Sequence, residues 1–277
     1  MGIKYKDFLV LKYLPGILVK IIIFTFSNPK NSTMSLKIKR GILIISFLAA
    51  GFILKAQSAD DIIHTYISKI GGAEKWKSLT SMVTTGTTTI QGMDLPYTVS
   101  SLSPNMNRVE VSAMGQSVIQ AYDGKNAWTV NPFQGSGKPE LMNPDMGKAF
   151  SEQNQLNPLL IEYAAKGLKA ALIGQETLNG VVFNKIEITH PLGDKDYYLF
   201  DAKTGLLGLV RKTSTTGPAA GKLVEIVFTD YKDESGLFIP HTMETKVDGQ
   251  TFTKNLTLTV KLNVPLDAKI FNYVPAN

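Results

Sequence analysis

From residue 80 to residue 264 the chain is a succession of short alternating segments separated by turn residues, which leaves few folds open. A period of two sends alternate side chains to opposite faces of a strand. Residues 80–90 are Thr-rich and β-branched, as half-buried strands are. Further strands are expected at 95–102, 108–113, 117–122 and 127–131, joined by Gly92-Met93-Asp94, Pro104-Asn105, Gly115 and Asp123-Gly124. Links this short make consecutive strands antiparallel neighbours. The pattern resumes at 170–173, 181–189, 196–201, 206–215, 223–231, 238–247 and 251–264. The last segment alternates most regularly, with Leu256, Leu258, Val260, Leu262 and Val264 expected on one face and Thr257, Thr259, Lys261 and Asn263 on the other.

Helical signals flank the first block of strands. Residues 58–70 read as a helix in which Ser58 caps the start and Asp60 and Asp61 suit the positive end of the dipole. Ile62, Ile63, Tyr66, Ile67 and Ile70 share one face, and Gly71-Gly72 stops the run. Residues 73–79 form a short second turn carrying Trp76. Asn143-Pro144 and Asn157-Pro158 each set a capping Asn before a Pro, the arrangement that starts helices. The second of these predicts a helix over 158–166, closed by Gly167. The fold class is therefore α+β, a large antiparallel sheet with one face covered by a few helices.

The first 57 residues differ from the rest. Apolar runs at 8–26 and 41–54 are interrupted or preceded by Lys and Arg, and the second follows Met34, Lys37, Lys39 and Arg40. Charge, an apolar core of about 14 residues and Leu54-Lys55-Ala56-Gln57 is the layout of a secretory signal peptide. Residues 1–33 are read as an upstream extension without a structural role, 34–57 as a signal peptide cut near Ala56, and 58–277 as a single domain. The alternative is an uncleaved membrane anchor. Nine of the 29 Lys and Arg and one of the 23 acids lie in residues 1–57, making that segment +8 and the remaining 220 residues −2. The basic balance thus belongs to the leader, and a nucleic-acid partner is not expected. Absence of cysteine excludes disulfides, thiolate metal sites and a lipidated cysteine.

Four segments occur in an order that resembles one family. Tyr122-Asp123-Gly124-Lys125-Asn126-Ala127-Trp128-Thr129-Val130-Asn131-Pro132-Phe133 is a hairpin ending in Asn-Pro-Phe. Ser103-Pro104-Asn105 precedes it, while Asn157-Pro158-Leu159-Leu160-Ile161 and Leu266-Asp267-Ala268-Lys269-Ile270-Phe271 follow. Together they resemble the periplasmic outer-membrane lipoprotein carrier and lipoprotein-sorting family, LolA, over most of residues 58–277. The resemblance implies an incomplete β-barrel of about 11–12 curved strands whose concave face is lidded by helices. It implies a non-enzymatic, exported, periplasmic protein that holds a lipid or the acyl chains of a lipoprotein, in sorting to the outer membrane. The expected cavity residues are Trp128, Val130, Phe133, Met114 and Val118, with Leu159, Leu160, Ile161 and Tyr163 as the lid. The family's Arg in the Arg-Pro-Asn turn is replaced by Ser103, so Arg108 is the candidate lid latch. Expected partners are a lipid or acylated lipoprotein and an inner- or outer-membrane protein, with the chain itself a monomer. The alternative reading is a periplasmic interaction or sensor module that docks a protein on the same half-barrel, as the related sigma-factor regulators do.

Signals for chemistry are weak. His64, His190 and His241 lie far apart and in no metal spacing. Gly135-Ser136-Gly137-Lys138 lacks the first Gly and the terminal Ser/Thr of a phosphate loop, Pro132 and Pro139 standing there instead. Asp194, Asp196 and Asp201 read as solvated turn charges. No metal, cofactor or catalytic group is expected.

Overall fold

The computed structural model describes residues 8–10, 21–23 and 57–275, except 136, 154 and 216. The chain divides into two units, Met1–Ala56 and Gln57–Asn277. In the first, strands β1 (Phe8–Val10) and β2 (Ile21–Ile23) pair antiparallel. The expected signal peptide lies outside the described residues apart from Gln57. Among the described residues no helix is long and apolar enough to cross a membrane.

The second unit opens with helix α1 (Ala59–Lys69). Ser58 Oγ accepts from the Asp61 amide at 3.1 Å, and Asp61 Oδ2 accepts from the Ser58 amide at 3.0 Å. This reciprocal cap satisfies two of the amides a helix start leaves unpaired. Ile62, Ile63, Tyr66 and Ile70 are buried as their spacing requires. Gly71, at φ +111, ends the run where a Cβ would collide with the Gly236 carbonyl oxygen. The short helix α2 (Ala73–Lys77) follows, its Trp76 donating from Nε1 to the Ile70 carbonyl at 3.0 Å.

Thirteen strands form one open antiparallel sheet. The first meander is β3 (Ser81–Ile90), β4 (Met93–Leu102), β5 (Met106–Ala113), β6 (Gln116–Tyr122), β7 (Ala127–Val130) and β8 (Glu140–Leu141). Helix α3 (Pro144–Gln153) leads to the second meander. It comprises β9 (Lys169–Leu178), β10 (Val181–Thr189), β11 (Lys195–Asp201), β12 (Leu207–Thr213), β13 (Leu223–Glu234), β14 (Leu237–Val247) and β15 (Gln250–Leu262). The meanders join where β15 pairs with β3, leaving β8 and β9 as the free edges. Within this sheet the short strand β8 is the addition to the strands read from the sequence. The result is a large curved sheet that does not close into a barrel, an α+β architecture.

Two local expectations need correction. Residues 159–167 form a run of turns in place of the helix expected over 158–166, with Glu162 in the left-handed region at φ +54. An α-helix would spread Leu159, Leu160 and Ile161 over about 200° of its circumference. The turns instead bury Leu160 and Ile161 together. The alternation of β15 is also broken, by a bulge between Thr257 and Thr259. Val260 and Leu262 enter the core, but beyond the bulge Thr257 stands opposite Gly86, while Leu256 and Leu258 are exposed. Gly86 is what permits this: a Cβ there would overlap the Leu256 carbonyl and press on the Tyr97 ring.

The main core lies between α1, α2, the turns at 156–168 and one face of the sheet, called here the inner face. Ile186, Ile188, Tyr198, Phe200, Val210 and Ile239 supply its floor. Burial of this size, at about 25 cal/mol per Å² of apolar surface, is the dominant favourable contribution.

Candidate functional site: the uncovered inner face

Directly paired residues of antiparallel strands share a face, so the register traces each face across the sheet. Met82 of the core pairs with Ser101, Ser101 with Asn107, Asn107 with Tyr122, and Tyr122 with Ala127. Parallel to that inner row run Tyr97–Val111–Val118 and Val99–Val109–Gln120. Val99, Val109, Val111 and Val118 are only half-buried, and none of them belongs to the core under α1. α1 serves the β9 side of the sheet, and α3 packs on β6 and β7, where Gly147 comes against Ala127. The inner face of β4–β6 between them carries an apolar wall of four half-buried valines, bordered by the buried Tyr97, Ser101 and Asn107.

Two polar features border the wall. Tyr97 is buried and shares a 2.8 Å hydrogen bond with Thr257 Oγ1, its phenol pushed above the usual range by burial and partly restored by that bond. Asn107 is 1% exposed, yet neither its Oδ1 nor its Nδ2 has a hydrogen-bond partner among the described residues. A buried unpaired polar group costs about 1–3 kcal/mol, so Asn107 is an unsatisfied site at the foot of the wall.

The residues expected to line a cavity are not brought together. Val118 lies on the inner face. Trp128 and Val130 point to the opposite, outer face, as the pairings Arg108–Ala121–Trp128 and Ile119–Val130 require. Met114 is 86% exposed in the β5–β6 turn, and Phe133 is half-exposed in the loop after β7. The sequence pattern of β7 marks the hairpin but not which face meets the core; that depends on counting register through five pairings to β15. Tyr97, Val99, Val109 and Val111 were absent from the expected set, although their alternation on β4 and β5 is a visible signal.

Trp128 instead anchors the C-terminal segment. A 3-10 turn at Ala268–Phe271 packs on the outer face of β5 with Phe271 fully buried. Trp128 Nε1 donates to the Phe271 carbonyl at 2.7 Å. Arg108 Nη1 donates to the Ile270 carbonyl at 3.2 Å, Nη2 pairs with Glu110 at 3.0 Å, and the guanidinium lies 5.9 Å from the Trp128 ring. Burial alone would raise Glu110, but hydrogen bonds from Ser117 and Arg108 outweigh it and hold the carboxyl below its usual range. Thr98, Ser100, Arg108, Glu110 and Ile270 line a cleft of about 350 Å³ there. Arg108 thus latches the C-terminal segment, on the face of the sheet opposite the core that holds Leu160 and Ile161.

In that lid segment Leu160 and Ile161 are each 2% exposed within the core, while Leu159 and Tyr163 pack partly against it. The Tyr163 hydroxyl donates to Asp60, and burial followed by that carboxylate pushes its pKa up to about 12. Lys77 reaches Glu162 at 3.0 Å.

The histidines stay apart. His64 is exposed on α1; His190 pairs with Asp196 at 2.9 Å. His241 is buried with Nδ1 3.0 Å from the Thr257 carbonyl, and its Nε2 lies 2.8 Å from Glu234 without hydrogen-bond alignment. Asp201 accepts from the Lys203 and Thr204 amides, closing a turn. Among the described residues no three potential metal ligands cluster.

An open, curved antiparallel sheet with helices over its inner face is a LolA-like half-barrel fold. No protein-family model and no curated protein sequence matches this chain. Among solved structures, a DUF1329 family protein from Desulfovibrio piger superimposes with a TM-score of 0.54 at 10% identity, over 78% of this chain and 97% of that one. A LolA superfamily protein from Nitrosomonas europaea gives 0.51 at 14%, over 78% and 98%. A domain assigned to outer-membrane lipoprotein sorting, from Vibrio parahaemolyticus, gives 0.50 at 14%, over 76% and 95%. At such identities the likeness is one of fold.

Proposed function

We propose that this chain is a non-enzymatic, exported periplasmic protein that holds a lipid, or the acyl chains of a lipoprotein, against the inner face of β4–β6. The observation that carries the reading is the half-burial of Val99, Val109, Val111 and Val118 on a face whose other parts are packed. An acyl chain laid there gains about 0.8 kcal/mol per buried methylene. Affinity then follows chain length, with little demand for polar contact. Asn107, whose side-chain amide is buried without a hydrogen-bond partner among the described residues, lies beside the end of the wall. Sorting of lipoproteins to the outer membrane is the finer form of this reading. The LolA-like fold and the lipoprotein-sorting neighbour support it.

The test is to purify the protein under native conditions, extract it with organic solvent and search for acyl chains by mass spectrometry, alongside titration with a fluorescent fatty acid. Copurified lipid and saturable binding are expected. Absence of both would overturn the carrier reading and leave the protein-docking alternative.

A further inference from the structure

Antiparallel register assigns every turn to one end of the sheet or the other. The turns at 91–92, 114–115, 190–194 and 248–249, with the loops 131–139 and 214–222, all fall at one end. Each of them carries or adjoins a large apolar side chain in water. Met114 and Leu192 are 86% and 82% exposed at the turn itself. Phe133 is 49% exposed within its loop, and Phe252, Met93 and Leu223 are 58%, 49% and 42% exposed beside theirs. At the other end the turns are Pro104-Asn105, Gly124-Lys125, Asn179-Gly180, Lys203-Thr204 and Ser235-Gly236. The exposed large apolar residues nearest them are Val181, Val182 and Phe238 on the strands, at 39%, 41% and 38%, and Val274, 65% exposed next to Tyr273, whose amide reaches Asp123.

Six separated apolar tips are unlike a protein interface. With strands about 4.8 Å apart, Phe133 and Leu192 lie roughly 45 Å from each other along the sheet. A single interface of ordinary size, about 800 Å² per side and so roughly 30 Å across, is smaller than that contour. A bilayer is indifferent to the spacing, because it admits each side chain wherever it enters. Charge plays little part: the domain from residue 58 onward is −2, which gives no attraction to anionic headgroups.

We propose that this end of the sheet docks on a phospholipid bilayer by shallow insertion of these turn side chains. The inference goes beyond cargo binding and does not need it. A carrier with an apolar wall would load or unload where this end touches the membrane.

The absence of cysteine allows single labels. In the full chain, Leu192→Cys and Phe252→Cys carry an environment-sensitive fluorophore, with Leu258→Cys as control. Leu258 is 62% exposed but lies at the bulge within β15, away from the turns. On adding phosphatidylcholine vesicles, the labels at 192 and 252 should brighten several-fold and shift to the blue, undiminished at about 0.5 M salt, while the label at 258 stays unchanged. In flotation, Leu192→Glu/Phe252→Glu should bind vesicles about tenfold more weakly than wild type, and Leu258→Glu as well as wild type. Silent labels at both turns, an equal response at 258, or unaltered flotation of the double variant would each overturn the proposal. Fatty-acid titration without vesicles reads cargo binding separately, so failure of one reading is distinguishable from failure of the other.

Discussion

Val118 and Val130 make a matched pair for locating the cargo. Both are half-buried valines on neighbouring strands, yet they face opposite sides of the sheet. Replacing either by Asp removes a partly buried side chain worth about 1 kcal/mol and introduces a residue poorly suited to strands, at up to about 1 kcal/mol more. Equal destabilisation of about 1–2 kcal/mol is therefore expected in urea titrations of Val118→Asp and Val130→Asp. Cargo affinity should separate them. A carboxylate on the inner face must keep its water, so an acyl chain lying there forfeits the contacts of three or four methylenes. At about 0.8 kcal/mol each this is about 3 kcal/mol, or roughly a hundredfold in Kd. Val130→Asp should bind within about twofold of wild type. Displacement of a fluorescent fatty acid measures both. Equal losses, or a larger loss for Val130→Asp, would refute the assignment of cargo to the inner face.

Leu160→Ala should cost about 2–5 kcal/mol in thermal or urea unfolding, because the side chain is 2% exposed in the core; a cost below about 1 kcal/mol would mean the segment lifts freely. Asn107→Leu should be neutral or stabilising, since it removes two buried groups without partners. A loss above about 1 kcal/mol on thermal unfolding would reveal a bound partner for the amide. Asp123 is held below its usual range: burial would raise it, but amide donors from Asn126 and Lys125, the Asn126 side chain and the Tyr273 amide outweigh that. With Glu110 lowered as well, the stability these acids confer is complete above their unfolded values of about 4 and is lost as pH falls through the lower folded values. The melting temperature should drop on acidification below about pH 4 and do so less steeply in Asp123→Asn; identical slopes would exclude Asp123 as a contributor.

The strand positions were legible because alternation and turn chemistry act locally. Asp123 makes its turn by accepting from the Lys125 and Asn126 amides at 2.8 and 2.6 Å, all within four residues. The cap on α1 is equally local. Facing was not legible, since it accumulates along the sheet and one bulge reverses it. Leu256 matches Leu262 in the sequence, but the bulge at 257–259 separates their surroundings. The setting of Trp128 is hidden for a related reason: its partner, Phe271, is supplied from 143 residues away. Residues 174–178 of β9 carry no strand signal, because Gly174-Gln175-Glu176-Thr177 has no alternation of polarity.

The join between β3 and β15 has a kinetic meaning. Each meander is built from neighbours in sequence and closes only small loops, whereas the pairing of Met82 with Leu262 closes nearly the whole domain. Loop closure costs entropy before such contacts give anything back, so sheets with distant pairings assemble slowly. The middle of the finished sheet is thus the seam at which two half-sheets meet late. Until they meet, β3 and β15 are both bare edges, and the nascent protein is at its most aggregation-prone in the part that is most protected once folded.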